Sequence, residues 1–137
     1  MNYDSATLIL MLDDAYEMPT APDRAKFPKY KEDAIIDVDQ TVRWNREQVK
    51  LANEAFKNEA SRLQSARQAK INEVIENVYD YIISSIAVCT RGYEISRKKA
   101  AVIWRKAYED GHHSGTHSIF SHLEEYIDLI CEVLKKD

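Results

Sequence analysis

Glycine and proline are scarce in this chain, with three of each in 137 residues. β-rich folds spend both residues on many tight turns, so the scarcity argues against them and for a few long helices. Cysteine is scarce as well: Cys89 and Cys131 stand far apart within apolar runs, with neither CxxC spacing nor a dense framework. That usage predicts a reduced, intracellular setting in which each cysteine is a small buried hydrophobe. Long apolar runs are missing too. The longest, Tyr81 to Cys89, is about half of the ~20 residues that a membrane-spanning helix requires. The apolar stretch Leu8–Leu12 follows Asp4 and runs into Asp13 and Asp14, unlike the positively charged start of a leader peptide. These absences predict a cytoplasmic protein with no membrane contact.

Nor is there an excess of basic charge. The net charge is −4, so no global field draws the chain to nucleic acid or anionic lipid. The charges do come in blocks. Residues 1–40 hold nine acids and four bases, while residues 41–70 hold three acids and seven bases. Acidic and mildly basic stretches then alternate to the end, a pattern suited to packing between segments or between copies.

What is present is an ordinary globular composition, 45% hydrophobic and 31% charged, too apolar for a disordered chain and the right size for one domain. The expected class is all-α: a short N-terminal helix, an extended proline-containing connector, one very long central helix and a C-terminal antiparallel helical hairpin. The first helix covers 5–17, with Ser5 as N-cap and Leu8, Met11, Leu12 and Ala15 on one side. Pro19, Pro22 and Pro28 make the following segment extended, and residues 34–38 have the composition of a short strand. Residues 1–40 thus form a helix and an arm.

From 41 to 89 neither glycine nor proline interrupts strong helix formers. Even ending at Ala87, such a helix would span roughly 70 Å at ~1.5 Å per residue. Its C-terminal part, Ile71 to Cys89, is apolar on most sides, as in Ile75, Tyr79, Ile83, Ile86 and Val88, and should be buried among neighbours. Its N-terminal part carries a narrow seam instead: Val42, Val49, Phe56, Leu63 and, where the seam thins, Arg67. A narrow stripe on so long a helix calls for a partner, and a second copy of the chain is the simplest one. Gly92 would end this helix as its C′ residue. The hairpin, 95–136, comprises a helix from Ser96 to Asp110, with Ser96 as N-cap and Ala100, Ile103, Trp104 and Ala107 inward. A second helix runs from Thr116 to Lys135, with Ile119, Phe120, Leu123, Tyr126, Ile127, Ile130, Val133 and Leu134 inward.

Chemistry-bearing side chains concentrate in the hairpin loop. His112, His113, Ser114, Thr116 and His117 lead into a helix N-terminus, whose free N–H groups and dipole favour an anion. Trp104 and Arg105 could add a stacking face and a charge, which makes these seven residues the candidate site for a small anionic ligand. His113 and His117 have i, i+4 spacing, but Gly115 between them and the absence of an HExxH-type helix argue against a metal. No nucleophile elbow, P-loop or dinucleotide fingerprint is present, so no catalytic residue and no cofactor is assigned. Arg43, Arg46, Lys50 and Lys57 share one side of the long helix, and Ile95–Ala101 looks like the start of a helix-turn-helix. The helix that would enter the groove, however, carries Glu124, Glu125, Asp128 and Glu132, which phosphates repel, so nucleic acid is not the expected partner.

The stretch Trp104 to Gly115 reads W-x-x-A-x-x-D-G-H-x-S-G and resembles a pattern in small helical proteins of tailed phages; the run Val42 to Glu47 is similar in the same way. The resemblance implies a phage accessory protein that blocks a host protein or sequesters a small signalling molecule. Taken together, the expectation is a non-enzymatic, self-associating helical binding protein whose partners are itself and either a host protein or a small anionic ligand. An enzyme using the 111–117 loop and a structural assembly component are the alternatives.

Overall fold

The computed structural model describes residues 3–23 and 40–135, with side chains in the long helix from Arg46 onward. Among the described residues the chain is all-α: α1 (Ser5–Glu17), α2 (Gln40–Cys89), α3 (Arg97–Gly111), a 3-10 turn (His112–Ser114) and α4 (Thr116–Lys135). The very long helix, the short N-terminal helix and the C-terminal helical pair are those expected from the sequence, and no strand occurs among the described residues. Residues 34–38, expected as a possible strand, lie outside the described residues. No helix is long and apolar enough to cross a membrane among those described.

The chain divides into two compact units, Met1–Glu17 with Lys70–Asp137, and Met18–Ala69. The first holds the core. α1 contributes Leu8, Leu12 and Ala15, and α2 contributes Ile71, Val74, Val78, Ile82 and Ile86, all at most 5% exposed. Their spacing of three and four residues is that of one helical face, which explains why this part of α2 needs neighbours. Ala100, Trp104 and Ala107 of α3 close the core with Ile119, Phe120, Leu123, Ile127 and Cys131 of α4. Trp104 meets Phe120 edge-on, 5.7 Å between centroids, a favourable geometry for two ring quadrupoles.

Two terminal details differ from expectation. Asp4, not Ser5, caps α1: its carboxylate accepts from the Thr7 amide at 2.7 Å and its carbonyl takes the first helical bond from Leu8. The Thr7 hydroxyl and amide hold the Asp4 carboxyl below its ordinary range. At the C-terminus of α2 the left-handed residue is Arg91 (φ 60°), and Gly92 (φ 116°) follows it. The amide of Gly92 bonds to the Ala87 carbonyl at 2.7 Å and that of Arg91 to Val88 at 3.4 Å, a Schellman closure shifted by one residue from the glycine. Ser96 caps α3 as expected, its Oγ accepting from the Lys99 amide at 3.1 Å.

The third correction concerns the cysteines. Cys89 and Cys131 form a disulfide, with Cα atoms 6.1 Å apart, joining the end of α2 to the last turns of α4. Their separation in sequence hid the pairing, because only the packing of α4 along α2 brings the two apolar runs together. With it falls the premise from which a reduced compartment was expected.

Polar ties fix the helices of this unit. Arg97 at the start of α3 donates to Asp80 at 2.6 Å and to Glu76, and lies 5.7 Å over the Tyr79 ring. The Tyr81 hydroxyl donates to Glu124, linking α2 to α4. Burial first, and then that carboxylate, push the Tyr81 phenol up to about 12 from an ordinary 10.0. Folding thus holds the proton more tightly than the unfolded chain does. The contribution to stability is complete below about pH 10 and drains away as pH rises through about 12. In an ultraviolet titration of the eight tyrosines, the phenol that ionises last, near pH 12, is expected to vanish in Tyr81→Phe. Overlaying curves for the variant and the parent would contradict the assignment.

The second unit contains the part of α2 up to Ala69. Ala52 is buried there, while Val49, Phe56, Leu63 and Arg67 are half-buried and Leu51 is 58% exposed. The side chain of Val42, the remaining residue of the expected seam, lies outside those described. Arg62 pairs with Glu59 one turn away, an exposed i, i+3 pair of little energetic weight.

Candidate functional site

The α3/α4 hairpin is held by a close approach that only glycine permits. Gly111, the last residue of α3, is buried, and a Cβ built on it falls 2.6 Å from the Ile119 amide nitrogen and 2.7 Å from its Cα. α3 can therefore meet the first turn of α4 almost backbone to backbone. Gly115 (φ 104°) supplies the positive-φ residue that turns the chain into α4, and its carbonyl takes the first helical bond, from Ile119 at 3.2 Å. Thr116 is the first residue of α4, where the sequence placed the start of that helix.

Six of the seven residues of the expected ligand site lie at the surface and one, Trp104, in the core. Trp104 is 5% exposed and faces the core, so it offers no stacking surface to a ligand. That is a correction: the same residue fits a core stripe and a binding site in sequence, and the packing of Phe120 decides for the core. Arg105, His112, His113, Ser114 and His117 are exposed and Thr116 is half-buried. His112 stacks on Tyr108 at 5.0 Å and lies 3.7 Å from the His113 ring. The His112 Nδ1 lies 2.9 Å from the Tyr108 carbonyl. A carbonyl can only accept, so this nitrogen carries the proton, and the imidazole caps the end of α3. His112 thus has a local, conformational task, and His113 lies against it. No cluster able to hold a metal ion occurs among the described residues.

Polar contacts near the loop are satisfied within the hairpin. The Tyr126 hydroxyl donates to Asp110, which holds that carboxyl below its ordinary range and raises the phenol. Lys106 reaches Asp110 at 3.7 Å and His122 reaches Glu125 at 3.8 Å. No buried side-chain nitrogen or oxygen among the described residues lacks a partner, so none is left aimed at a ligand.

The unsatisfied surface lies elsewhere on the hairpin. Tyr93, Ile95, Lys99, Val102 and Ile103, before and along α3, and Ile130 and Leu134, on α4, line a groove of about 450 Å³. Leu129, Ile130, Val133 and Leu134 line a second hollow of about 220 Å³ that shares Ile130 and Leu134 with the first. Val102 is 60% exposed, Leu129 56% and Val133 64%. Val133 was expected to face inward; it sits outside, and Val88 at the end of α2 is 81% exposed rather than buried. The signal for this surface was present in sequence. α4 carries apolar residues over more of its circumference than one core contact requires. Compared with known protein families, curated proteins and solved structures, the chain has no match.

Proposed function

We propose that this chain is a non-enzymatic binding protein that works through the apolar outer face of its α3/α4 hairpin. The observation that carries this reading is the exposed row of Val102, Leu129 and Val133 beside a groove whose walls hold one charged group, Lys99. Scattered surface hydrophobics need no explanation, but adjoining ones around a concave surface mark a docking site. Against catalysis stand the local capping task of His112 and the satisfied buried polar groups among the described residues.

The role implied by the resemblance at Trp104–Gly115, a phage accessory protein, accords with this mode of action, since such a protein would occupy a surface rather than turn over a substrate. The seam on α2 is the weaker surface: Val49, Phe56 and Leu63 are already half-buried, and Phe56 and Arg67 have interactions of their own. The disulfide bears on where the protein works, because oxidised pairs persist in oxidising compartments and are rare in the cytosol. Alkylating the thiols of protein taken directly from cells, followed by mass measurement, separates an oxidising location from the expected cytoplasmic one.

The test is binding of an apolar fluorescent dye, anilinonaphthalene sulfonate, to the dilute folded chain. The parent protein is expected to bind it saturably. Val102→Glu with Val133→Glu should lose that binding while keeping the helical circular dichroism. Equal dye binding by both proteins would reject the groove as the working surface.

A further inference from the structure

The hairpin's outer face is divided by charge along its length. α3 carries Arg97, Lys98, Lys99, Arg105 and Lys106 against Glu109 and Asp110, whereas α4 carries Glu124, Glu125, Asp128 and Glu132 against Lys135. Some of these are engaged inside the chain: Arg97 with Asp80 and Glu76, and Glu124 with Tyr81. Those left on the outer face are exposed. At 100° per residue, Lys99 and Lys106 lie about 40–60° from Val102 on its Ile103 side, and Glu125 and Glu132 about 40–60° from Leu129 on the side away from Ile130. The face is thus a basic row, an apolar groove and an acidic row, side by side.

We infer that the occupant of this groove is a second copy of the chain, docked face to face about a two-fold axis running parallel to α3 and α4. This rests on the binding reading above and names the partner. Rotation about that axis lays α3 of one copy against α4 of the other, antiparallel, so the basic row of each meets the acidic row of its mate. Ile103, Ile130 and Val133 of the two copies close on one another between those rows, with Val102 at the outer edge of the basic row. Rotation about an axis across the helices would stack α3 on α3 and set Lys99 and Lys106 against the same lysines, which like-charge repulsion disfavours. The charge pattern therefore selects both the partner and its orientation, and the product is an antiparallel four-helix arrangement of the kind that buries such faces. The Lys106–Asp110 pair, at 3.7 Å, is loose enough to rearrange toward an incoming carboxylate. The face is about 22 Å long, the length of a fifteen-residue helix, so its area is at the small end for stable interfaces and micromolar association is expected.

Sedimentation velocity of the full chain from about 1 to about 200 µM brackets that affinity. The parent is expected to pass from monomer to dimer. Lys99→Glu with Lys106→Glu makes both rows acidic, and Glu125→Lys with Glu132→Lys makes both basic. Each double variant should dimerise at least about tenfold more weakly, and an equimolar mixture of the two should recover the dimer. Recovery requires that both variants be folded, so it separates lost charge pairing from lost structure. A parent that stays monomeric while its groove still binds the dye would overturn the second-copy assignment and leave the binding reading standing. A dimer unmoved by either reversal would place association on another surface and overturn it equally.

Discussion

Opening the Cys89–Cys131 bond is expected to lower the unfolding free energy by about 4 kcal/mol, most of the margin of an ordinary domain. The bond closes a loop over a sequence separation of 42, and cross-linking so long a segment removes much of the freedom of the unfolded chain. The folded state should change little. Cys131 is 5% exposed within the core face of α4, and the helix continues through it to Lys135. Urea unfolding with and without a thiol reductant measures the difference, and Cys131→Ala should match the reduced parent to within the cost of a small cavity. Superimposed oxidised and reduced curves would mean that the pair contributes no restraint.

Replacing Gly111 by alanine is expected to cost about 3 kcal/mol despite the better helix propensity of alanine. The added methyl meets the nitrogen and Cα of Ile119 and, at 2.8 Å, the carbonyl carbon of Ser118. All three atoms belong to the backbone of α4 and cannot swing aside. Only a short 3-10 turn and Gly115 join the helices, so separating them at this point also strains the Trp104–Phe120 contact, two turns back along α3. A melting temperature lower by about 10 °C is expected for a chain of this length. Gly115→Ala is the control. Its Cβ meets nothing within 4 Å, so its cost is the extended positive-φ backbone alone, about 2 kcal/mol. Gly111→Ala melting at or above the parent temperature would contradict the close-packed hairpin.

The helices were legible in the residues themselves. α1 and α4 begin and end where proline, glycine and apolar periodicity place them, and Ser96 caps α3 through the amide three residues on. What periodicity cannot carry is the identity of the neighbour. Val133 lies on the apolar side of α4, yet whether that side meets α2, α3 or water depends on which helices surround it. The cysteines show the same limit, since two apolar runs become a bond only when α4 is laid along α2. Trp104 and the histidine loop show a different one. A tryptophan, an arginine and three histidines near a helix start suit a ligand site and a packed turn equally well in sequence. Contacts that the sequence does not display separate their tasks: Phe120 packs on Trp104, and the Tyr108 carbonyl holds His112 at the end of α3.

The claim on which function turns is that the α3/α4 groove is open in a single copy. Its most direct measurement is the maleimide labelling rate of Val102→Cys at nanomolar concentration, with the native disulfide intact, beside Val78→Cys as a core reference. Reaction of the 102 thiol near the rate of a free peptide thiol, with the 78 thiol slower by orders of magnitude, is the expected result. If the two thiols are equally protected in the dilute chain, its own residues cover the groove and there is no docking face.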